Sequence, residues 1–244
     1  MFYSRGESNS TMTEHDPTKE RLMEMAGKVF AERGFRDATV REICQRAGAN
    51  VAAVNYHFGD KERLYIESVK RAHSRRAEEV PLPQWPADAP PEARLRGFIQ
   101  TFLTRLLDDP NSDWHGQLMM REMLEPSGAC TELVREYIRP HFEPLQAIVR
   151  EMLAADVDDQ QRRLIVLGIV GQCVYFRVAA PILRLLVPPD EYSRYQPEYL
   201  ADHITRSTLA VLAGFGGEPS PTRVPAVACS WPTHDAPSDD GGRP

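Results

Sequence analysis

The sequence predicts an all-α protein, an N-terminal three-helix helix-turn-helix domain followed by a larger helical domain. Three observations carry that prediction. Apolar residues recur at helical spacing from residue 22 to about residue 215, with no convincing run of strand alternation. Capping and breaking residues fall where one helix must stop and the next begin. A proline-rich stretch at 81–91 separates two helical groups.

The first helix starts with Asp16 as N-cap and Pro17 at its first position, and runs to about Arg33, where Gly34 ends it. Leu22, Met25, Ala26, Val29 and Phe30 form its core face. Thr39 caps the second helix, with Glu42 three residues on completing a capping box, and Val40, Ile43, Cys44 and Ala47 face inward. Gly48 makes a tight turn, Asn50 caps a third helix over Val51–Phe58, and Gly59 and Asp60 separate it from a fourth, Lys61 to about Glu79. Tyr65, Val69 and Ala72 share one side of that fourth helix. Beyond the break, helical patterns cover about 92–108, 113–124, 129–154, 159–187 and 197–215. Pro140 and Pro144 should kink or divide the third of these. From Gly217 onward the chain is too poor in periodic apolar residues to pack, so 217–244 is expected to be a disordered tail. The resulting division is 14–80, 92–216 and 217–244.

Composition narrows the class. With 244 residues, 42% hydrophobic and 26% charged, the chain can bury a sizeable core. Its longest apolar stretch, Leu164–Val187, is interrupted by Gln172, Arg177, Pro181 and Arg184, which favours a buried helix over a membrane span. The first residues lack the apolar run of a secretory signal, so a cytoplasmic protein with no membrane partner is expected. Cys44, Cys130, Cys173 and Cys229 form neither a CxxC pair nor a disulfide framework. The net charge of −6 divides unevenly. Residues 12–77 hold 13 Lys and Arg against 10 Asp and Glu, which leaves 16 against 25 of the totals of 29 and 35 for the remainder. A small basic module on an acidic body suits a protein that meets phosphates with one surface.

The segment TVREICQRAGANVAAVNYHFGDK joins two short helices through a glycine turn, the helix-turn-helix arrangement. Val54 and Phe58 point inward on the second of these helices, and Ala52, Ala53, Asn55, Tyr56 and His57 fan around the other side. An ordinary αα-hairpin would share the bare pattern. The longer stretch AGKVFAERGFRDATVREICQRAGANVAAVNYHFGDKERLY resembles the TetR family of repressors, through FAERGF, TVREI, the AG turn and YHFxxKExLY. Downstream, REMLEPSGACTELVREYIRPHFEPLQAIVREML and IVGQCVYFRVAAPIL look like the C-terminal domain of the CecR-like branch, so the resemblance spans about 14–216.

The resemblance implies an all-helical homodimer that binds a palindromic operator in double-stranded DNA, acts as a repressor by default and lets go when a small, mainly apolar effector binds. It places phosphate contacts on Thr39, Tyr56, His57 and Lys61, where a helix N-terminus and a point charge suit an anion. For Tyr56 and His57, core packing is the alternative. Base reading falls to Ala52, Ala53 and Asn55, with Val51 at the edge. Asn55 can bond an adenine edge bidentately or merely touch a phosphate, and the alanines suit thymine methyl groups.

In the C-terminal half, the pattern Leu164–Leu186 is apolar nearly all round, which calls for burial on two sides. Gly168, Gly171, Ala210, Ala213 and Gly214 would let helices 159–187 and 197–215 approach a partner subunit closely, as the family's dimerising pair does. A purely intramolecular core is the alternative. Phe102, Met119, Arg121, Glu122, Tyr137, His141, Gln172, Tyr175 and Arg177 are candidates for an effector pocket, and Arg121 or Arg177 could instead pair with Glu122 or Glu132. No metal-ligand or catalytic spacing and no phosphate-cradling glycine loop emerges, so neither cofactor nor enzyme activity is expected. The alternatives to a ligand-responsive regulator are a constitutive DNA-binding protein with a filled pocket and, more remotely, a helical enzyme or carrier.

Overall fold

The computed structural model describes residues 16–107 and 114–215, all helix and short connections, so the tail from 217 and its Cys229 lie outside the described residues. Helix α1 spans Pro17–Asp37, α2 Val40–Ala47, α3 Val51–Phe58 and α4 Lys61–Glu79. The caps are those the sequence marks. The Asp16 carboxylate accepts from the Thr18 amide at 2.8 Å, Thr39 Oγ1 from Glu42 at 3.2 Å and Asn50 Oδ1 from Ala53 at 2.9 Å. Glu42 does not close a capping box with its carboxylate, which pairs instead with Arg33 at 3.0 Å and Arg46 at 2.8 Å. Gly34, at φ +79°, interrupts α1 rather than ending it, and Phe35–Asp37 resume the helical course. Gly48 takes the left-handed conformation, φ +62°, that turns α2 into α3.

The second group comprises α5 (Pro91–Leu107), α6 (Trp114–Leu124), α7 (Ala129–Leu133), α8 (Arg139–Met152), α9 (Asp159–Val178), α10 (Ala180–Leu186), α11 (Pro189–Tyr192) and α12 (Pro197–Ala213). The expected helix 129–154 keeps helical backbone from Ala129 to Met152, with Pro144 inside it, and departs from regular α-helix only before Pro140. A π-helical turn, Val134–Ile138, absorbs the strain just before that proline, which has no amide hydrogen to offer. The expected single helix 159–187 is two, bent by 72° at Ala179, because Pro181 fits only the first turn of a new helix. No single helix among the described residues is long and apolar enough to cross a membrane.

Two hydrophobic cores result. The first gathers Leu22, Val29 and Phe30 of α1, Ile43, Val54, Phe58, Leu64 and Val69, but also Trp114 and Leu118 of α6 and Leu133 of α7. The second is made by α5, α8, α9 and α12 around Leu95, Ile99, Leu145, Val149, Ile169 and Ile204. The proline-rich break therefore separates segments of chain but not the cores, since α6 crosses into the N-terminal one. Its fit there is close. A Cβ built on Gly27 would lie 2.1 Å from Trp114 Cζ3, so only glycine leaves room for the indole, whose Nε1 donates to Glu24 at 3.1 Å. Between α4 and α6, the buried Tyr65 hydroxyl donates to Glu122 Oε2 at 2.6 Å, and Ser127 donates to the other carboxylate oxygen through its amide at 2.9 Å. Burial beside that carboxylate raises the Tyr65 pKa, keeping the phenol protonated as the donor.

Candidate nucleic-acid interface and internal cavity

The head presents α3 to solvent. Val54 and Phe58 anchor it in the core, while Val51 is 47% exposed, Tyr56 84% exposed, and Ala52 and Asn55 are also exposed. Ala53 is half-buried and packs against the core, which leaves it less of its methyl to offer than Ala52. Thr39, exposed at the start of α2, spends its hydroxyl oxygen on the Glu42 amide and still has a hydrogen to donate. His57 turns away from this surface: its side chain is 10% exposed and its Nε2 sits 3.5 Å from the Asp16 carboxylate at the start of α1. Lys61 is folded onto the head, donating to the Arg36 carbonyl at 3.2 Å with its ammonium 4.8 Å from the Phe35 ring centre. It holds in place the turn that follows Gly34.

At the seam between the two cores lies a cavity of about 230 Å³, walled by α4, α5, α6, α8 and α9. Four of the sequence candidates line it: Phe102, Met119, His141 and Arg177. Five do not. Arg121 covers Gly34, reaching the Glu32 carbonyl at 3.4 Å, and Glu122 is consumed by Tyr65 and Ser127. Tyr137 packs against the N-terminal core one layer out, its ring 5.2 Å from His73. Gln172 donates to its own helix at Gly168, and Tyr175 is 53% exposed on the outer side of α9. Each helix here has neighbours on two sides, and periodicity alone does not say which neighbour a given residue meets.

Sequence reasoning missed the contribution of α4. His73, Arg76 and Ala77 line the cavity from the end of a helix assigned wholly to the head, along with Arg105, His115, Met120 and Met123. The available signal was that His73, Arg76 and Ala77 follow Ala72 at helical spacing, beyond the reach of α2 and α3. The rings of His73 and His141 meet edge to face at 4.8 Å. His141 Nδ1 lies 2.6 Å from the Tyr137 carbonyl, which can only accept, so that nitrogen carries the hydrogen. Burial, aided by the neighbouring charges of His141 and Arg105, pulls the His73 pKa down to about 4, so the imidazole is neutral at pH 7. Among the described residues no group of three or more His, Cys, Asp or Glu side chains is placed to hold a metal. Burial raises the thiol pKa of Cys44, and that of Cys173 to about 12, which keeps both in the unreactive form.

On the outer side of α9, α10 and α12 runs an apolar surface with nothing over it. Leu164, Leu167, Val178, Ile182, Leu185 and Val211 are between 44% and 89% exposed. Gly168 and Gly171 lie within this surface, and a Cβ on either would meet nothing within 4 Å.

An exposed α3 on a three-helix head, joined through a shared helix to a larger helical body, is the arrangement of a helix-turn-helix DNA-binding regulator. The family model of the bacterial regulatory proteins of the tetR family matches residues 22–67, and that of the C-terminal domain of the HTH-type transcriptional dual regulator CecR matches 91–215. The chain belongs to the TetR family, with a C-terminal domain of the CecR type. The transcriptional dual regulator CecR of Shigella flexneri is 25% identical over 85% of this chain and 97% of its own length. The transcriptional repressor AcnR of Corynebacterium glutamicum is 27% identical over 60% of this chain and 69% of its own. In fold, a TetR-like transcriptional regulator from Rhodococcus sp. RHA1 superimposes with a TM-score of 0.57 at 19% identity, over 81% of this chain and 96% of that one.

Proposed function

We propose that the protein is a ligand-responsive transcriptional repressor that binds a palindromic operator as a homodimer and releases it when a small effector enters the seam cavity. The observation that carries this reading is the double duty of α6. Trp114 and Leu118 belong to the core of the reading head, while His115, Met119, Met120 and Met123 on the same helix wall the cavity. A ligand that displaces those methionines pushes on a helix that the head cannot release. The cavity that the side chains leave favours ligand response over constitutive binding, and the repressor name of AcnR supports the sign, whereas CecR is named a dual regulator.

Dimerisation is supported by the uncovered apolar surface on α9, α10 and α12, whose glycines leave space for a second copy. In such a dimer the two α3 helices enter successive major grooves about 34 Å apart. Asn55 and Ala52 face the base edges, with Val51 at the edge and Ala53 contributing what its burial leaves. Tyr56 and Thr39 meet phosphates, and Lys61 reaches one by giving up the Arg36 carbonyl. His57 acts by fixing α3 against Asp16 rather than by touching DNA.

The decisive experiment selects operator sites from the chain's own upstream intergenic region by gel shift and then titrates a small-molecule library against the complex. An effector is recognised as a compound that raises the melting temperature of the free protein and lowers its operator affinity, and the operator must then weaken its binding by the same factor, because the coupling is reciprocal. Binders that stabilise the protein and leave operator affinity unchanged would remove the ligand-responsive part.

A further inference from the structure

One side of the seam cavity is carbon and sulfur, and the other is cationic. Phe98, Phe102, Phe142, Met119, Met120 and Met123 supply the first. Arg105 of α5, Arg177 of α9 and Arg76 of α4 supply the second, and the imidazoles of His73, His115 and His141 also line the space. Among the described lining residues there is no Asp or Glu. Elsewhere in the chain a guanidinium with a buried flank is given a carboxylate: Arg46 meets Glu32 at 2.9 Å, Arg96 meets Asp202 at 2.6 Å, and Arg162 meets Asp159 at 2.8 Å. The cavity departs from that habit. Arg76 has Glu79 at 3.2 Å, but among the described residues Arg105 donates to the Val80 carbonyl, at 2.8 Å, and neither Arg105 nor Arg177 has a carboxylate.

Partly buried cations with no counter-charge among the described residues are poorly solvated, and burial accordingly pulls both guanidinium pKa values down. His73 Nδ1 is likewise buried with no hydrogen-bond partner. An anion in the cavity would relieve the first deficit, and its acceptor atoms face donors that are already in place. Arg177 and Met120 also line an open cleft of about 280 Å³ beneath α10, with Arg184 at its edge. The two residues thus form the wall between cavity and surface, and cations mark the way in.

We propose that the cavity takes a small amphipathic organic acid, its carboxylate held by Arg177 and Arg105 and its apolar body laid against the phenylalanines and methionines. The volume of about 230 Å³ lies below the ~300–1,000 Å³ of drug-sized sites, so the acid is small. Methionine side chains can reshape that wall around a hydrocarbon or an aromatic ring. This inference rests on the ligand-responsive reading and names the chemistry of its effector.

A matched series on one apolar body tests it: 3-phenylpropionate, 3-phenylpropan-1-ol and 3-phenylpropylamine, titrated calorimetrically and by melting temperature into the full chain at pH 7.5. The acid is expected to bind at least tenfold more tightly than the alcohol, and the amine not measurably. Arg177→Gln and Arg105→Gln should each weaken the acid at least tenfold and leave the alcohol within twofold. Equal affinity for acid and alcohol, preference for the amine, or no binding of the acid at millimolar concentration overturns the proposal. Operator affinity is measured in the same samples. If the acid binds as expected but the DNA complex is unaffected, the site chemistry stands and the ligand-responsive reading falls. If the alcohol or amine binds better and releases DNA, the regulatory reading stands and the anion falls.

Discussion

His73 couples the stability of the seam to pH, and the size of the effect follows from its surroundings. Its imidazole is enclosed by α4, the π-helical turn, α5 and α8. The groups facing it are Tyr137, His141 and Arg105, two of them basic and none able to stabilise a second positive charge. Its pKa falls from 6.5 to about 4, burial being the largest cause. Between those two values the unfolded chain takes up a proton that the folded chain refuses, so stability is full above pH 6.5 and declines as pH drops toward 4. At about 1.4 kcal/mol per tenfold change in proton affinity, the gap corresponds to about 3 kcal/mol in all, of which about 2 kcal/mol is lost by pH 5. The carboxylates whose pKa values are lowered by cationic partners, such as Glu79 beside Arg75 and Glu132 beside Lys70, lose their contribution only at lower pH. The interval from pH 7.5 to 5 therefore excludes the carboxylates, and comparison with variants that lack the imidazole separates His73 from the other histidines. Urea denaturation of wild type, His73→Leu and His73→Gln across that interval should show a steeper loss in wild type by about 2 kcal/mol, with both variants flatter. Parallel curves for all three proteins would refute the assignment of a neutral, enclosed imidazole.

Three further outcomes are expected. Gly168→Glu should turn the proposed dimer into a monomer in sedimentation at micromolar concentration without unfolding it, because a side chain there meets nothing within its own subunit; a dimeric variant contradicts the assigned interface. Gly27→Ala should destabilise the head by roughly 1–3 kcal/mol and shift the Trp114 fluorescence, since the indole must move off a Cβ that would lie 2.1 Å away; an unchanged melting temperature and spectrum would show that the fit is loose. Asn55→Ala should cost roughly 1–3 kcal/mol per half-site and flatten discrimination at one base-pair position, whereas Lys61→Ala should weaken all sequences alike and reduce the salt slope by about one per subunit. Equal losses at cognate and altered sites would make Asn55 a positioning residue.

The head was legible in detail because its signals are local. Asp16, Thr39, Asn50 and Asp60 are caps that act within three residues of themselves, and the bounds of α3 and α4 follow from them. The irregularity before Pro140, a π-helical turn, was legible for the same reason, whereas Pro144 stands inside α8 without the expected break. The break at Ala179 was written in Pro181 but outweighed by the apolar run around it. The cavity was far less legible. Arg121 and Arg177 look alike in sequence, yet one covers Gly34 in the head and the other lines the seam. Which core each helix face meets depends on α6 crossing to the N-terminal side, a tertiary choice fixed by the pairing of Trp114 with Gly27 some ninety positions earlier.

That pairing also constrains how a signal can travel. Packed cores deform little and instead move as units. With Trp114 seated on Gly27 and Tyr65 bonded to Glu122, α1, α4 and α6 form one unit, and α6 cannot slide along the head without forcing the indole into α1. The body around α5, α8, α9 and α12 forms the other. The cavity lies between them, so on the proposed ligand-responsive reading an occupant would act as a spacer in the seam and tilt the first unit against the second. Because α9 and α12 in the second unit carry the proposed dimer surface, such a tilt changes the separation of the two heads while the dimer axis stays fixed. The ligand then weakens operator binding only by the difference in its affinity for the two tilts, about 1.4 kcal/mol for every tenfold. An effector that binds tightly but fits both tilts equally will leave the operator occupied.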